Sequence, residues 1–548
     1  MADGRIGSPG RNDKILFWAS FLTLIAAGMG FSLRNTAVKS AWGTQFGFTQ
    51  SELGEISGGG LTGFGITIIV LSFVADKIGY GRLMGLAFFF HLASAIVTLA
   101  AGPVYAEFGK EGAYWCLSIG MYLFAFGNGT CEAVINPLTA TLYPDNKTHW
   151  LNILHAGWPA GLVLGTLASL GLNEVQGVSW QVYIGLFLVP VLLYGLLMFR
   201  KPFPKSEAAA SGVPLGQMIL QFASPILLFL LLLHAMVGYV ELGTDSWISS
   251  VTGTILAKPQ YGLYLFIFTS TLMFTLRFFA GPIVHRISPL GLLLFSAICG
   301  CIGLSMLGRA DELFGAENAI AACLVAATIY GVGKTFFWPT MLGVVSERYP
   351  KGGAVTLGMM GGIGMLSAGL LGDPGIGFKQ DYAATTQLQV SSPETYARYK
   401  ADEVKHYPFL HTVVEKAGIT KGETNVFTAE VAGLDNQKLS LLTADGLKVF
   451  QDDFARLNAP TMNPKDQPSP KLLESYQTLN TWWNEKGASN AEKDKGPIAA
   501  ATLYGSKMAL QWTAVVPALM AIGYLLLMLY FKATGGYRQE HLSGTKSH

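Results

Sequence analysis

SFVADKIGYGRLMG (Ser72–Gly85) joins two apolar runs through a turn that holds Asp76, Lys77, Gly79 and Arg82. The charges are confined to the turn, and the residues on either side are apolar enough to enter a hydrocarbon core. Runs of roughly 20 such residues, which span about 30 Å as a helix, recur along the chain. Hydrophobic residues make up 51% of the 548 positions and charged residues 13%, about half the charge fraction of a soluble domain. The sequence therefore reads as a polytopic, all-α membrane protein. Its net charge of +2 comes from basic residues scattered among loops, which gives no electrostatic footprint for nucleic acid.

Outward from that turn, twelve spans are expected near 15–36, 52–75, 82–101, 115–142, 150–172, 179–199, 222–249, 260–284, 290–308, 319–346, 353–372 and 507–532. An even number puts both termini on one side. Short loops on that side hold Lys77, Arg82, Lys147, Arg200, Lys201, Lys205, Arg286, Arg348 and Lys351; the opposite short loops hold only Lys39, Lys110, Lys258 and Arg309. The positive-inside rule makes the terminal side cytoplasmic, in a bacterial inner (plasma) membrane. The polar start MADGRIGSPGRNDK has no small-residue cleavage site after it and reads as a lead-in to a retained helix. RKPFPKSEAAASGVPLG (200–216) opens a cytoplasmic linker, 201–221, between an N-terminal bundle (1–200) and the first five helices of a second bundle (222–372).

Residues 373–505 are polar and, by this topology, external. YPFLHTVVEKAGI, DGLKVFQDDFARLN and SPKLLESYQTLNTWWNEKG have helical apolar spacing, so a small helical insert is expected there, ahead of a last span and tail in 506–548. It carries no cysteine, and the reading is a cap or packing module. Cys116, Cys131, Cys299, Cys301 and Cys323 all lie in apolar runs, with neither disulfide nor metal spacing. The sequons at Asn128 and Asn146 fall in a span and a cytoplasmic loop, so neither is expected to carry a glycan.

The halves repeat weakly. SFVADKIGYGRLMG has a counterpart in FAGPIVHRISPLGL (Phe279–Leu292), and FGNGTCEAVINP on span four has one in YGVGKTFFWP on span ten. Transporters build two bundles around a central site from repeats of this kind. Asp76-Lys77-x-Gly79-x-x-Arg82 resembles the signature loop of the major facilitator superfamily, and the six-plus-six layout with a second copy of the loop strengthens the likeness over all twelve spans. Within the superfamily, CEAVINPLTATLYPDNKTHWLNILHAGWPAG (Cys131–Gly161) resembles the fucose–galactose–glucose proton symporter family, in which a Glu-x-x-x-Asn-Pro helix precedes a Leu-Asn start to the next span. The chain departs from that family in its insert, in Trp158-Pro159, and in charged groups on spans seven and ten. The resemblance implies two pseudo-symmetric six-helix bundles, with spans one, four, seven and ten around a central cavity.

Ionisable groups within spans cost about 2.5–3.5 kcal/mol or more at the bilayer centre and mark pathways. Glu132 lies about ten residues, roughly 15 Å, inside span four. Shielding raises a carboxyl pKa toward neutrality, and the resemblance gives the matching Glu the role of proton carrier; a structural hydrogen bond is the alternative. Lys334 on span ten pairs with Glu132, binds an anionic solute, or reaches the interface. Glu241 and Asp245 on span seven share a helical face; Glu241 is the better cavity candidate and Asp245 a helix-end charge. His155 and His234 are candidate relays, His155 in proton coupling and His234 beside the solute, with helix packing as the alternative; His91 is peripheral. Arg34 is expected to pair with Glu55, anion binding being the rival. Asn128, Asn136, Trp158, Tyr239, Trp247 and Trp338 suit ring stacking and hydrogen bonding to a sugar, against packing or interfacial anchoring. Asp76, Arg82, Arg277 and Arg286 are expected to act in gating, because the superfamily's signature loops latch the bundles on the cytoplasmic side.

The function that follows is secondary active transport, as proton symport of a small polar solute such as a sugar. An organic-anion or drug-type carrier is the rival within transport, motivated by Lys334 and Arg34. A transport-inactive receptor or scaffold acting through the insert is the rival outside it. There is no nucleophile–base constellation and no Walker loop, so neither an enzyme nor a primary pump is expected. No cofactor is expected. The partners are the solute, protons and the bilayer, and the protein is expected to be a monomer.

Overall fold

The computed structural model describes residues 10–34, 39–46, 56, 60–173, 178–315, 318–401, 405–407, 429–458 and 470–540. Nine helical stretches among them are long and apolar enough to cross a membrane by length and composition. The other three expected spans are also helical: Gly60–Ser72, Ala101–Leu142 and Pro259–Arg277. The beginning expected for span two, with Glu55, lies outside the described residues, as does most of YPFLHTVVEKAGI.

Two expected loops are helix instead. Spans three and four meet through a helical segment that bends at Gly109, where φ is +69°, a value glycine adopts without penalty. Spans eight and nine meet at Ser288, φ +65°, where the ring of Pro289 disfavours the helical conformation of its predecessor.

In the first half Arg11–Leu33 packs on Gly157–Asn173 and Trp180–Met198, and Tyr80–Leu99 on Ala101–Leu142. In the second half Ala280–Leu307 packs on Ala319–Thr335 and Val515–Ala533, and Pro225–Gly238 on Gly353–Ser367. The halves touch where Gly60–Ser72 meets Gly353–Ser367, where Gly157–Asn173 meets Pro259–Arg277, and where Lys147–His155 meets Phe337–Arg348.

The boundaries expected for the insert, at 372/373 and 505/506, fall inside continuous helix. Span eleven passes through a π turn, Ala368–Gly372, directly into Asp373–Ser391. Pro374 lacks an N–H for a carbonyl one turn earlier, and a widened turn accommodates that loss. On the return, Pro470–Trp482 runs through a second π turn into Ala488–Thr513, and the helix breaks only at Ala514 before Val515–Ala533. The segment therefore extends the last two spans rather than hanging from loops. Its two long helices pack on each other and are tied to Pro393–Tyr399 by Arg398, which holds the buried Asp494 through Nη2 and Nε at 2.5 and 2.8 Å. A short antiparallel pairing of Lys405–His406 with Glu430–Val431 completes it.

Candidate functional site

Between the halves, on the side away from the termini, lies a cavity of about 390 Å³. Phe31, Phe124, Asn128 and Trp158 line it from the first half, Asp245 and Phe266 from the second. The rings of Phe31 and Trp158 are 5.8 Å apart. Asn128 is buttressed from behind: its Oδ1 lies 3.0 Å from His91 Nε2, and His91 Nδ1 lies 2.9 Å from the Tyr194 hydroxyl.

Beneath the cavity a chain of polar groups crosses from one half to the other. Glu132, 4% exposed, accepts a hydrogen bond from Asn136 Nδ2 at 2.5 Å. Asn136 Oδ1 in turn accepts from His155 Nε2 at 2.8 Å, which fixes the proton on that nitrogen. Arg277 continues the chain by donating to the His155 carbonyl, to the Thr335 carbonyl at 2.8 Å and to Glu241 Oε1 at 2.9 Å. The sequence explains why two carbonyls wait for it. Pro159 and Pro339 have no N–H, so the carbonyls four residues earlier, on His155 and Thr335, lose their intrahelical donors. One guanidinium, with five donors in a fixed fork, satisfies both. Glu241 Oε2 also accepts from the Trp338 N–H at 3.2 Å, a free donor in the first turn after the helix break at Phe336.

Lys334 pairs with Asp245 Oδ1 at 2.5 Å and not with Glu132. The roles expected on span seven are exchanged in position: Asp245 reaches the cavity wall, while Glu241 is buried below it. Arg277 lies in the buried cluster, away from Arg286, which is exposed near the termini. Tyr239 turns to the insert, with its hydroxyl 2.9 Å from Lys379 Nζ and 3.2 Å from that of Tyr407. Trp338 packs against His234, ring centroids 4.6 Å apart and planes tilted at 56°, and neither nitrogen of that buried ring has a partner among the described residues. Trp247 donates to the Asp373 carbonyl at 2.8 Å. Arg34 bonds the Gly30 carbonyl and Ser94 Oγ at 3.3 and 3.1 Å and lies over Phe124 and Phe187 at 4.3 and 4.5 Å; Glu55, its expected partner, is outside the described residues. Asp245 was expected only as a helix-end charge, and Lys379 was not among the expected site residues. The one signal for Asp245 was its spacing of four from Glu241.

At the terminal end the halves are bonded together. Lys147 Nζ reaches Glu207 at 2.6 Å and the Ser346 carbonyl at 3.2 Å. Glu347 accepts from Thr148 Oγ1 at 2.6 Å and from the Tyr537 hydroxyl at 2.7 Å, and Asn152 Nδ2 bonds Thr340 Oγ1 at 3.1 Å. Asp76 stands beside Gly353, where span eleven begins. Burial raises its carboxyl above the ordinary value, opposed by the nearby Ser206 and Tyr80 hydroxyls. Arg82, in the same turn, is exposed. The site is thus closed toward the termini, with its cavity on the other side.

A two-bundle helical fold with a cavity between the halves and buried charges beneath it is the architecture of a membrane carrier. The profile of the Major Facilitator Superfamily matches residues 20–372; the chain belongs to this superfamily, whose members are transporters. Comparison with curated protein sequences gave no match. Among solved structures the chain is similar to the proton:xylose symporter XylE bound to 6-bromo-6-deoxy-D-glucose, with TM-score 0.53 and 14% identity over 65% of this chain and 86% of that one. It is similar to the E. coli fucose:proton symporter FucP, with TM-score 0.52 and 17% identity over 68% and 93%. A bacterial homolog of the human lysosomal transporter Spinster, inward-facing and unoccupied, aligns over 94% of this chain and 97% of that one at TM-score 0.51 and 14% identity. At these identities the likeness is one of fold.

Proposed function

We propose that the protein is a secondary active transporter that couples the movement of a small polar solute such as a sugar to a proton, by alternating access between its two bundles. The observation that carries the reading is the charge balance beneath the cavity. Glu132, Glu241 and Asp245 supply three carboxylates, and Arg277 and Lys334 supply two cations. Each cation takes one acid, Arg277 with Glu241 and Lys334 with Asp245. Glu132 is left with an amide as its bonded partner, so one proton on it neutralises the cluster. A buried carboxylate that gains and loses a proton as the halves rock biases which arrangement is stable. Arg277 supports the coupling, because it is bonded to the first half through His155 and to the second through Glu241 and Thr335. Similarity to solved sugar:proton symporters supports the solute class. By the loop-charge bias the terminal side is cytoplasmic, and the insert and the cavity face outward. The test is uptake into proteoliposomes carrying an internal pH dye. A solute drawn from a panel of sugars should accumulate with an imposed proton gradient and carry protons with it. Accumulation that ignores the gradient for every solute would overturn proton coupling.

A further inference from the structure

We infer that Asp245, held in place by Lys334, is the second half's contact for the solute, and that this contact selects a neutral polyhydroxylated molecule against its carboxylate- or phosphate-bearing relatives. The inference rests on the transport reading above and gives its site a chemistry. Asp245 lines the cavity with its side chain 10% exposed, whereas Lys334, whose Nζ lies 2.5 Å from Oδ1, is 0% exposed. The lysine therefore neutralises the acid from behind and is closed off from the solute. Neither a lysine nor an arginine is among the described residues that line the cavity. From the second half the solute meets oxygen acceptors: Asp245, with Asp373 and the Ser246 and Ser249 hydroxyls on the same wall. From the first half it meets Asn128, whose Oδ1 is turned to His91, leaving the amide N–H groups as donors on the cavity side, beside the Ser32 and Thr166 hydroxyls, which bond each other at 2.8 Å.

An acceptor on one wall and a donor on the other suit a hydroxylated ring. One hydroxyl donates to Asp245, a charge-assisted bond of the stronger kind, while another accepts from Asn128. The aromatic faces of Phe31, Phe124 and Trp158 cover its C–H surface. An anion of the same shape gives up its water to meet a carboxylate, with no cation on the wall to replace that water, and is rejected. Lys334 is accordingly a positioning residue: it pairs with Asp245 from behind and holds the carboxylate oriented. Because Asp245 and Asn128 belong to different halves, the bound solute bridges them.

The test uses the purified full-length protein and calorimetric binding of neutral pentoses, hexoses and polyols, each beside its uronic acid or sugar phosphate, with proton-coupled uptake measured in proteoliposomes for the same compounds. A neutral member should bind at least about tenfold more tightly than its anionic relative. Asp245→Asn should weaken the neutral ligand about tenfold or more, the loss of one hydrogen bond to a charged group. Since that variant strands Lys334, the double variant Asp245→Asn with Lys334→Gln removes both charges together and should show the same weakening with normal thermal stability. An anionic member that binds as tightly as its neutral relative and moves with protons would overturn the inference and leave the transport reading standing. So would a neutral ligand whose affinity survives both variants. If no compound binds or moves protons, both readings fall together.

Discussion

Glu132 answers to chemistry at the scale of one residue. Its neighbours Ala133, Val134 and Ile135 are fully buried, and its bonded partner among the described residues, Asn136, serves either protonation state, since the amide donates to a carboxylate or to the carbonyl oxygen of the protonated acid. Glu132→Gln keeps that bond and cannot release a proton. Accumulation driven by a pH gradient is expected to vanish in proteoliposomes while counterflow exchange persists; normal uphill uptake by this variant would leave Glu132 with a structural role. Arg277 is the opposite case, a group fully engaged. Arg277→Met leaves Glu241 without a counter-charge and two carbonyls without donors. Breaking one side of a buried pair costs about 3–5 kcal/mol, so the thermal unfolding midpoint of the detergent-solubilised protein should fall sharply. Adding Glu241→Gln should recover most of the charge term. A midpoint unchanged in Arg277→Met would show that the guanidinium is dispensable.

Helices are shaped here by single residues that break the regular pattern. Trp158-Pro159 and Trp338-Pro339 each interrupt a span and free a carbonyl, and both breaks face Arg277. Spans seven and eleven carry π turns at Tyr239–Gly243 and Ala368–Gly372 that pack on each other. Glycines make this crossing possible: a Cβ on Gly238 would run into the Gly364 carbonyl, and one on Gly243 would come within 2.7 Å of the Gly372 backbone. Gly238→Ala must push the two spans apart, and since those spans carry Glu241, Asp245 and the root of the insert, both stability and uptake are expected to fall. Gly185→Ala is the contrast. Nothing lies within 4 Å of its added methyl, and removing a helical glycine should leave stability unchanged or raise it by up to about 1 kcal/mol. Paired melting curves of the two variants check the argument; equal melting temperatures would refute it.

Across the whole molecule, closure at the terminal end decides which way the cavity opens. Asp76 is part of that closure, and burial makes its charged form unfavourable there. The closed arrangement holds a proton on Asp76 more tightly than one that opens the residue to water. Its advantage is complete below the ordinary carboxyl value of 3.8 and is lost as pH rises through the raised value. Asp76→Asn imitates the protonated form at every pH. It should slow turnover, flatten this part of the pH dependence, and leave solute affinity in the closed state nearly intact; lost affinity would mean that Asp76 touches the solute site. The orientation of the molecule is tested separately. Lys448, Lys493 and Lys495 are exposed on the insert, and an impermeant amine reagent should label them on intact cells. Labelling only after permeabilisation would reverse the orientation.

The sequence by itself determined the membrane class, the helical spans and the superfamily, because these follow from local properties: runs of apolar residues, turns that concentrate charge, and a signature of fixed spacing. It also picked out Glu132, since a carboxylate in an apolar run is visible without knowing its neighbours. Which groups meet was a matter for the tertiary structure alone. Lys334 found Asp245, Arg277 came to the centre, and Tyr239 turned toward Lys379, because ion pairs and hydrogen bonds between helices depend on rotation and depth, which a linear spacing leaves free. The insert's roots were equally hidden: polarity marked where the chain leaves apolar surroundings, but the helical hydrogen bonds ran on past that point, since leaving an apolar run is no reason for a backbone to stop pairing with itself.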